Sequence, residues 1–343
     1  MKKIFVLLVL VNILLNGCDN KVVYPLAQVS DGTNGNVNAL AVFNGNLIAG
    51  GSFTNAGNIS ASNIAQWNGS TWSAMASGLN NSVCSLIVFN GNLIAGCPNS
   101  GIFQWNGTKW TQLVVGKSNN YLFTIYNNNL VVGGGFDSIG GIKAANLAQW
   151  NGSVWSQIDT GSNDGFSSLA TYNGALVVAG SSLMMEGKSY NFIAKWNGVS
   201  WATLGTGIIY ESDPVLFVND TNIYMGGVSG FSILIDSNWN SVTVAANTMY
   251  TSNNITDFCL YNGNTLAVLY SSTLGPNTVG SSIIKCGETS FSYFESPLES
   301  VNGGINAMIQ YQNNLIVGGG FSEVGNTSVL NIAQYNGTTW SPL

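Results

Sequence analysis

A unit of about 45 residues recurs seven times between residues 37 and 343. The first copy reads VNALAVF, NG, NLIAGG, a loop, NIAQW, NG and STWSAM. The copies begin near Val37, Val83, Tyr121, Phe166, Asp213, Ile255 and Ile305. A repeat of this length is one supersecondary unit that buries its apolar faces against its neighbours. Each residue is therefore best interpreted by its place in the repeat.

Each copy contains four short runs rich in Val, Ile, Leu, Phe and Trp, a composition typical of β-strands. Asn-Gly joins the first run to the second in four copies and the third to the fourth in five, which predicts type I′ hairpin turns. We therefore expect an all-β fold, a seven-bladed β-propeller with four antiparallel strands, A to D, in each blade.

The meander divides the disc into two faces. The A–B and C–D turns, such as Asn44-Gly45 and Asn68-Gly69, lie on the "turn face". The longer B–C and D–A connections, such as residues 52–62 and 136–145, lie on the opposite "loop face". Long connections on a rigid scaffold are where binding usually resides, which favours the loop face for function.

A glycine pair ends the B strand in four copies: Gly50-Gly51, Gly133-Gly134, Gly226-Gly227 and Gly318-Gly319. Together with paired aromatics in strands C and D, these glycines resemble kelch repeats and the central propeller of galactose oxidase, over residues 37–343. Glycine there suits a position that a neighbouring backbone approaches closely. The resemblance implies the fold and no active site, because the copper ligands of galactose oxidase include His and this chain has none.

The tryptophans belong to the repeat. Two aromatics five residues apart flank the C–D turn, which predicts diagonal neighbours on one face of the sheet. The C–D pairs are Trp67/Trp72, Trp105/Trp110, Trp150/Trp155, Trp196/Trp201, Leu234/Trp239, Cys286/Phe291 and Tyr335/Trp340. They include all ten Trp of the chain. Packing between blades explains them, so we do not interpret them as a sugar-stacking surface.

Composition excludes several functions. All nine basic residues are Lys, and the chain has no His. Ser-His-Asp and Cys-His pairs, His-ligated metals and guanidinium clamps for phosphate are thereby excluded. The net charge of −6 also argues against a nucleic-acid partner. We expect no cofactor and no metal site, and Asp, Glu, Tyr, Lys, Ser and Cys remain available for catalysis.

The N-terminus is typical of an export signal. Lys2 and Lys3 precede an apolar run from Ile4 to Leu15. This run is shorter than the roughly 20 residues of a spanning helix, which favours a cleaved secretory signal. The ending Leu15-Asn16-Gly17-Cys18 resembles the lipobox of bacterial lipoproteins, and this resemblance implies lipidation of Cys18.

Three segments follow: a signal peptide in residues 1–17, a lipidated Cys and tether in residues 18–36, and the propeller in residues 37–343. The predicted location is the cell envelope, with contact to the membrane through the lipid anchor only. An uncleaved anchor, or a plain signal peptide with a chance Cys, is the alternative.

Four further cysteines lie in the repeats. Counting outward from Asn90-Gly91 places Cys84 opposite Cys97, as a non-hydrogen-bonded pair with Cα atoms about 4.5 Å apart. A disulfide is one interpretation of this pair, and two buried free thiols are the other. Cys259 and Cys286 lie on strands A and C of the sixth blade, with strand B between them, and are expected to be free.

Acids of the loop face are the candidate binding residues: Asp137, Glu186 and Glu323 in B–C loops, and Asp164 and Asp213 in D–A connections. No catalytic residue is assigned. We expect a monomeric, non-catalytic envelope lipoprotein that binds a protein or glycan partner on this face. The alternative is a carbohydrate-active enzyme that uses two loop carboxylates. A purely structural role in the envelope is the third possibility. The acids themselves can also be interpreted as residues that only keep the disc soluble.

Overall fold

The structure is a computed structural model that describes residues 31–116, 118–159, 165–206, 213–219, 221–227, 230–242, 253–271, 280–294 and 301–343. Every regular element within these ranges is a β-strand. No helix long and apolar enough to cross a membrane occurs among them. Seven four-stranded antiparallel sheets make up the molecule, which confirms the predicted β-propeller.

Blades 1 to 3 take up residues 37–157. Blade 1 consists of β1 (Val37–Phe43), β2 (Asn46–Gly51), β3 (Asn55–Ala56), β4 (Ile59–Ser60), β5 (Ile64–Trp67) and β6 (Trp72–Ala74). Blade 2 consists of β7 (Ser85–Phe89), β8 (Asn92–Cys97), β9 (Gly101–Trp105) and β10 (Trp110–Val115). Blade 3 consists of β11 (Tyr121–Tyr126), β12 (Asn129–Gly134), β13 (Ser138–Ile139), β14 (Ile142–Lys143), β15 (Leu147–Trp150) and β16 (Trp155–Gln157).

Blades 4 to 7 follow in the same order. Blade 4 consists of β17 (Ser168–Tyr172), β18 (Ala175–Ala179), β19 (Leu183–Met185), β20 (Lys188–Tyr190), β21 (Ile193–Trp196) and β22 (Trp201–Thr203). Blade 5 consists of β23 (Val215–Val218), β24 (Ile223–Gly227), β25 (Gly230–Ile235) and β26 (Asn238–Val242). Blade 6 consists of β27 (Asn253–Tyr261), β28 (Asn264–Ser271), β29 (Gly280–Cys286) and β30 (Phe291–Tyr293). Blade 7 consists of β31 (Gly304–Tyr311), β32 (Asn314–Gly320), β33 (Glu323–Val324), β34 (Thr327–Ser328), β35 (Ile332–Tyr335) and β36 (Trp340–Pro342).

The A strands surround the axis. In blade 1 the sheet order is β1-β2-β5-β6, so A pairs with B, B with C and C with D, and every blade repeats this order. Each A strand also contacts the A strands of the two neighbouring blades: β1 with β7, β7 with β11, β11 with β17, β17 with β23, β23 with β27, β27 with β31 and β31 with β1. The last contact closes the ring.

The A–B turns are the type I′ turns that the sequence predicts. Asn44 has φ 49° and Gly45 has φ 78°, and Asn90-Gly91, Asn173-Gly174 and Asn262-Gly263 have similar values. Positive φ at both central positions matches the twist of the two strands. These turns set the register in which Phe43 pairs with Asn46.

The C–D turns differ from the prediction. In blades 1 to 4 and 7, the C–D turn is a four-residue loop whose leading Asn accepts hydrogen bonds on its side chain. In blade 1, Asn68 Oδ1 accepts from the backbone N–H of Ser70 and of Thr71, both at 2.9 Å. Asn106, Asn151, Asn197 and Asn336 accept the equivalent pairs. The side chain of Asn replaces a backbone partner here, so the loop is longer than two residues.

This loop length corrects the predicted placement of the tryptophans. Trp67 and Trp72 pair directly across the hairpin and are not diagonal neighbours, and their ring centroids are 5.4 Å apart. The other C–D aromatic pairs have ring centroids 5.1–6.0 Å apart: Trp105–Trp110, Trp150–Trp155, Trp196–Trp201 and Tyr335–Trp340. None of the ten indoles is exposed, and Trp72 packs with Tyr311 and Ile316 of the preceding blade. The tryptophans therefore join blades, as predicted.

The first glycine at the end of strand B makes room for the following blade. A Cβ on Gly50 would lie 2.6 Å from Val83 Cγ1, just before β7. A Cβ would likewise come too close to a side chain of the next blade at three further glycines: Gly96 to Tyr121, Gly226 to Ile255 and Gly318 to Val37. The close neighbour is thus a side chain of the next blade. The predicted close approach of a backbone applies to the second glycine, because a Cβ on Gly51 would meet the carbonyl of Asn36 in its own blade.

The structure supports the second interpretation of Cys84 and Cys97, because both thiols are free. In blade 1 the register shifts between Val37 and Ala39, so Asn38 is the extra residue of a β-bulge. Cys84 takes the position of Asn38 and lies before the paired register of blade 2, which begins with Ser85 opposite Gly96. Its N–H donates to the carbonyl of Gly96 at 2.9 Å, and its Sγ donates to the same carbonyl at 3.3 Å. Cys259 and Cys286 are also free, as predicted.

The ring closes by packing between blades 7 and 1. All four described strands of blade 7, β31, β32, β35 and β36, come from the C-terminal repeat. Leu343 O accepts hydrogen bonds from Gly32 N at 2.8 Å and from Trp72 Nε1 at 3.2 Å. Of the predicted tether, residues 31–36 thus lie against the junction of the two blades. The predicted signal peptide, Cys18 and residues 19–30 lie outside the described residues.

We expect Trp72→Ala to destabilise the propeller by about 3–5 kcal/mol, because it opens a cavity at the closing interface. The free energy of unfolding in urea measures this loss. Val154→Ala, at a side chain that is 62% exposed, is the control and should change stability by less than about 0.5 kcal/mol. Equal effects of the two variants would contradict the closure described above.

Candidate functional site

Four small hairpins stand on the loop face. They are β3–β4, β13–β14, β19–β20 and β33–β34, in blades 1, 3, 4 and 7. Each has at least one fully buried apolar side chain: Ala56, Ile139, Leu183, Met185 and Val324 are at most 3% exposed. The B–C connections in these blades are therefore folded elements with their own cores, which loop length alone did not predict.

Hydrogen bonds and ring contacts hold these hairpins in place. Asn34 Oδ1 accepts from Thr54 N and Asn55 N at 2.8 Å, just where the blade 1 hairpin begins. Asn302 makes the equivalent bonds in blade 7. In blade 3, Gly140 lies directly against the indole of Trp155 and has no room for a Cβ. A ligand would thus meet a preformed surface, at a lower entropic cost than flexible loops would impose.

The predicted acids lie on this surface and are spread around it. Asp137, Glu186 and Glu323 are exposed on the hairpins of blades 3, 4 and 7. Asp213 is exposed before blade 5, where its N–H donates to Ser181 Oγ and its Oδ1 accepts from the same hydroxyl. Asp164 lies outside the described residues. The structure therefore places the hairpin acids on three separate blades, and a partner that spans several blades could contact all of them.

A ring of polar side chains lies at the loop-face end of the A strands. The bulge residue of one blade donates to a carbonyl of the next: Asn38 to Val83 (3.4 Å), Ser167 to Pro214 (2.7 Å), Thr256 to Ile305 (3.2 Å) and Asn306 to Val37 (3.2 Å). Cys84 occupies the equivalent position beside the carbonyl of Tyr121. These bonds satisfy carbonyls on the free edges of the A strands.

Asp257 is an acid that the sequence analysis missed. It is the one charged residue in the described A strands, and it follows the bulge in β27. Its Oδ2 accepts from Met308 N of blade 7 at 2.7 Å. Burial raises the pKa of Asp257 to about 7, against the opposing effect of hydrogen bonds from Met308 and Phe258. A comparison of equivalent A-strand positions across the repeats would have revealed it.

The described acids lie on separate elements of the fold. Asp257 lies at the axis, while Asp137, Glu186 and Glu323 lie on the hairpins. Within the described ranges, no group of three or more His, Cys, Asp or Glu residues could hold a metal ion. The arrangement suits a binding surface that is rigid, polar and acidic.

We expect the stability of the protein to fall between about pH 4 and pH 7 as Asp257 ionises, because its pKa in the folded state is about 7 against an ordinary value of 3.8. Asp257→Asn keeps an acceptor for Met308 N and removes the charge. The variant should be more stable than the wild type at pH 8, by about 1–2 kcal/mol since the residue as a whole is half-buried, and similar to it at pH 4.

Urea unfolding at several pH values tests this expectation. Asp213→Asn, at an exposed acid, is the matched control and should keep the wild-type pH profile. If Asp257→Asn also follows the wild-type profile, the assigned environment of Asp257 is contradicted.

No protein-family model matches the sequence, and the comparison with curated proteins gives no match. The kelch-like pattern therefore stays an interpretation of the sequence. The propeller that it implied is confirmed by the sheets themselves.

Solved structures share the fold at low identity. The extracellular domain of a putative hybrid two component system from B. thetaiotaomicron is 13% identical, with a TM-score of 0.60, and the match covers 89% of this chain and 39% of that one. The GH74 enzyme of Niastella koreensis is 12% identical, with a TM-score of 0.57, and the match covers 90% of this chain and 54% of that one. The computationally designed Ika8 protein is 12% identical, with a TM-score of 0.54, and the match covers 89% of this chain and 97% of that one. At these identities the likeness shows a β-propeller fold and nothing further.

Proposed function

We propose that this chain is a non-catalytic cell-envelope lipoprotein whose loop face binds a protein or glycan partner. The observation that carries the proposal is the set of four hairpins, each anchored by buried apolar side chains and each with exposed residues at its tip. Hairpins that are held in place by buried apolar side chains and hydrogen bonds are typical of a surface that is used for recognition.

The placement of the acids favours binding over hydrolysis. A glycoside hydrolase needs two carboxylates roughly 5–10 Å apart across the substrate. Asp137, Glu186 and Glu323 instead lie on hairpins of blades 3, 4 and 7. Without His or Arg, the chain offers few other routes to acid–base catalysis.

Export and lipidation complete the proposal. The apolar run and the ending at Cys18 support transfer across a membrane and attachment of a lipid. The extracellular domain from B. thetaiotaomicron is a propeller neighbour, which is compatible with an exported protein. The hydrogen bonds of Gly32 and Thr33 at the junction of blades 7 and 1 would attach such an anchor firmly to the disc.

Neutralising the hairpin acids should weaken binding. We expect Asp137→Asn, Glu186→Gln and Glu323→Gln together to lower the signal for the preferred ligand by about tenfold or more, because several charge-assisted contacts are lost. The full chain would be tested on a printed glycan array and in pull-downs of envelope proteins. Glu288→Gln, at an exposed acid of the turn face, is the control. The proposal fails if the triple variant binds as the wild type does, or if the control weakens binding equally.

Lipidation is tested separately. We expect the wild type to incorporate an alkyne-labelled fatty acid in cells and to partition into detergent, because a diacylated cysteine supplies stable membrane attachment. Cys18→Ser should abolish both the label and the partitioning, whereas Cys97→Ser, at a buried thiol of the propeller, should keep both. Labelling that persists in Cys18→Ser would show that the anchor is assigned to the wrong residue.

A further inference from the structure

A cavity of about 340 Å³ opens on the turn face between blades 4 and 5. On the turn face of the disc, the last residue of strand A normally packs against the C–D hairpin of the next blade. Aromatic residues at this position are buried in five blades: Phe43, Phe89, Tyr126, Tyr261 and Tyr311 are 3–7% exposed. Tyr172 of blade 4 is the equivalent residue, and it is only half-buried at the wall of the cavity.

The cavity exists because blade 5 departs from the repeat. Leu234 stands where the neighbouring blade 4 has Trp196 at the end of its C strand. The C–D turn is also shorter, since Asp236 and Ser237 form a two-residue turn with φ 47° and 69°. In blade 2 the aromatic of the A strand meets an indole of the next blade, since the ring centroids of Phe89 and Trp150 are 5.6 Å apart. Blade 5 has Leu234 at the position of this indole, and Tyr172 lines the cavity that is left.

Polar groups of both signs surround this ring. The amide of Asn173, the ammonium of Lys195 and the carboxylate of Asp236 line the cavity, and their formal charges cancel. Buried apolar side chains, Leu204 and Leu234 among them, form its floor. A concave site with an apolar base and a few polar groups at its rim is the usual form of a small-ligand site.

A second cavity of about 530 Å³ adjoins the first at Tyr172 and Asn173. Phe217, Asn219 and Leu260 line it, and Leu260 is 43% exposed. Blade 5 departs from the repeat here as well, because Asn219 replaces the aromatic at the end of strand A. The two cavities together form a two-lobed cleft over blades 4 to 6, with Tyr172 at its centre. We call this the Tyr172 cleft.

We propose that the Tyr172 cleft binds a neutral oligosaccharide. A pyranose ring has an apolar C–H face that fits the open face of Tyr172, and its hydroxyls both donate and accept hydrogen bonds. Asp236 can accept from such hydroxyls, Lys195 can donate to them, and Asn173 can do either. The cancelled charge gives no preference for an anionic or a cationic ligand. The second lobe provides room for a further sugar. This site is independent of the loop face and goes beyond the function proposed for it.

The decisive variant is Leu234→Trp, which restores the aromatic that other blades carry at this position and fills the cavity beside Tyr172. The probe is a printed array of neutral oligosaccharides, followed by calorimetric titration of the disaccharide that binds best. We expect the full-length wild type to bind, and Leu234→Trp to bind at least about tenfold more weakly, the equivalent of one lost aromatic contact. Its thermal unfolding should be unchanged or shifted upward because a cavity is filled.

Asp236→Ala provides an independent test, since the residue is exposed at the tip of a turn and its loss leaves the core intact. It should also weaken binding, whereas Asp137→Asn on the loop face should not. Failure of the wild type to bind any neutral oligosaccharide overturns the proposal, and so does wild-type affinity in both variants of the cleft. Neither result affects the loop-face function, whose own variants leave the Tyr172 cleft unchanged.

Discussion

In five of the seven blades, a glycine at the end of strand B leaves room for one side chain of the following blade. Ala179 and Val268 take this position in blades 4 and 6. A Cβ on Gly50 would lie 2.6 Å from Val83, and one on Gly318 would lie 2.5 Å from Val37. The first contact joins blades 1 and 2, and the second joins blades 7 and 1. Since the two contacts are equivalent, the described part of the chain closes the ring with the same kind of interface that joins other neighbouring blades. These glycines set the distance between neighbouring blades. At that distance the tryptophans pack between blades, and the hydrogen bonds near the axis form.

A ring of equivalent interfaces leaves two places where a ligand site can develop. One is the connections, which do not take part in the blade interfaces. The loop-face hairpins are of this kind, and Asn34 and Asn302 fix them to the disc. The other is an interface that departs from the repeat. Blade 5 does so at Leu234 and at Asn219, and the space that follows borders Tyr172. The two proposed sites thus arise from different physical causes and lie on opposite faces.

The sequence predicted the number of blades, the strand order and the role of the tryptophans, because each depends on a pattern that recurs within one repeat. It did not predict features that depend on geometry between residues. Asn68 accepts two backbone N–H groups through its side chain, so its Asn-Gly pair does not form the type I′ turn of Asn44-Gly45. Counting outward from the turn also placed Cys84 opposite Cys97, whereas the paired register of blade 2 begins at Ser85 and Gly96 and both thiols are free.

The functional residues also divide into those that a sequence pattern predicts and those that depend on the geometry of the fold. The exposed loop acids could be predicted, since long connections between strands are exposed. A comparison of the A strands would have singled out Asp257 as a charged residue, but its raised pKa depends on burial, which only the structure shows. The structure also shows its hydrogen bond with Met308 N of the next blade. Tyr172 fits the aromatic pattern of the A strands. Its importance comes from Leu234 in a different blade, and only the structure shows that the space between them stays open.

Circular permutation tests the equivalence of the seven interfaces most directly. The permuted chain would begin at Leu79, in the connection between blades 1 and 2, and a short Gly-Ser linker would join Leu343 to Asp31. The hydrogen bond of 2.8 Å between Gly32 N and Leu343 O places those ends side by side. Unfolding in urea should be a single transition with a free energy within about 1 kcal/mol of the unpermuted chain from residue 31, since every interface is retained. A permutant that does not fold, or that loses the stability of a whole blade interface, would contradict a ring closed by packing alone.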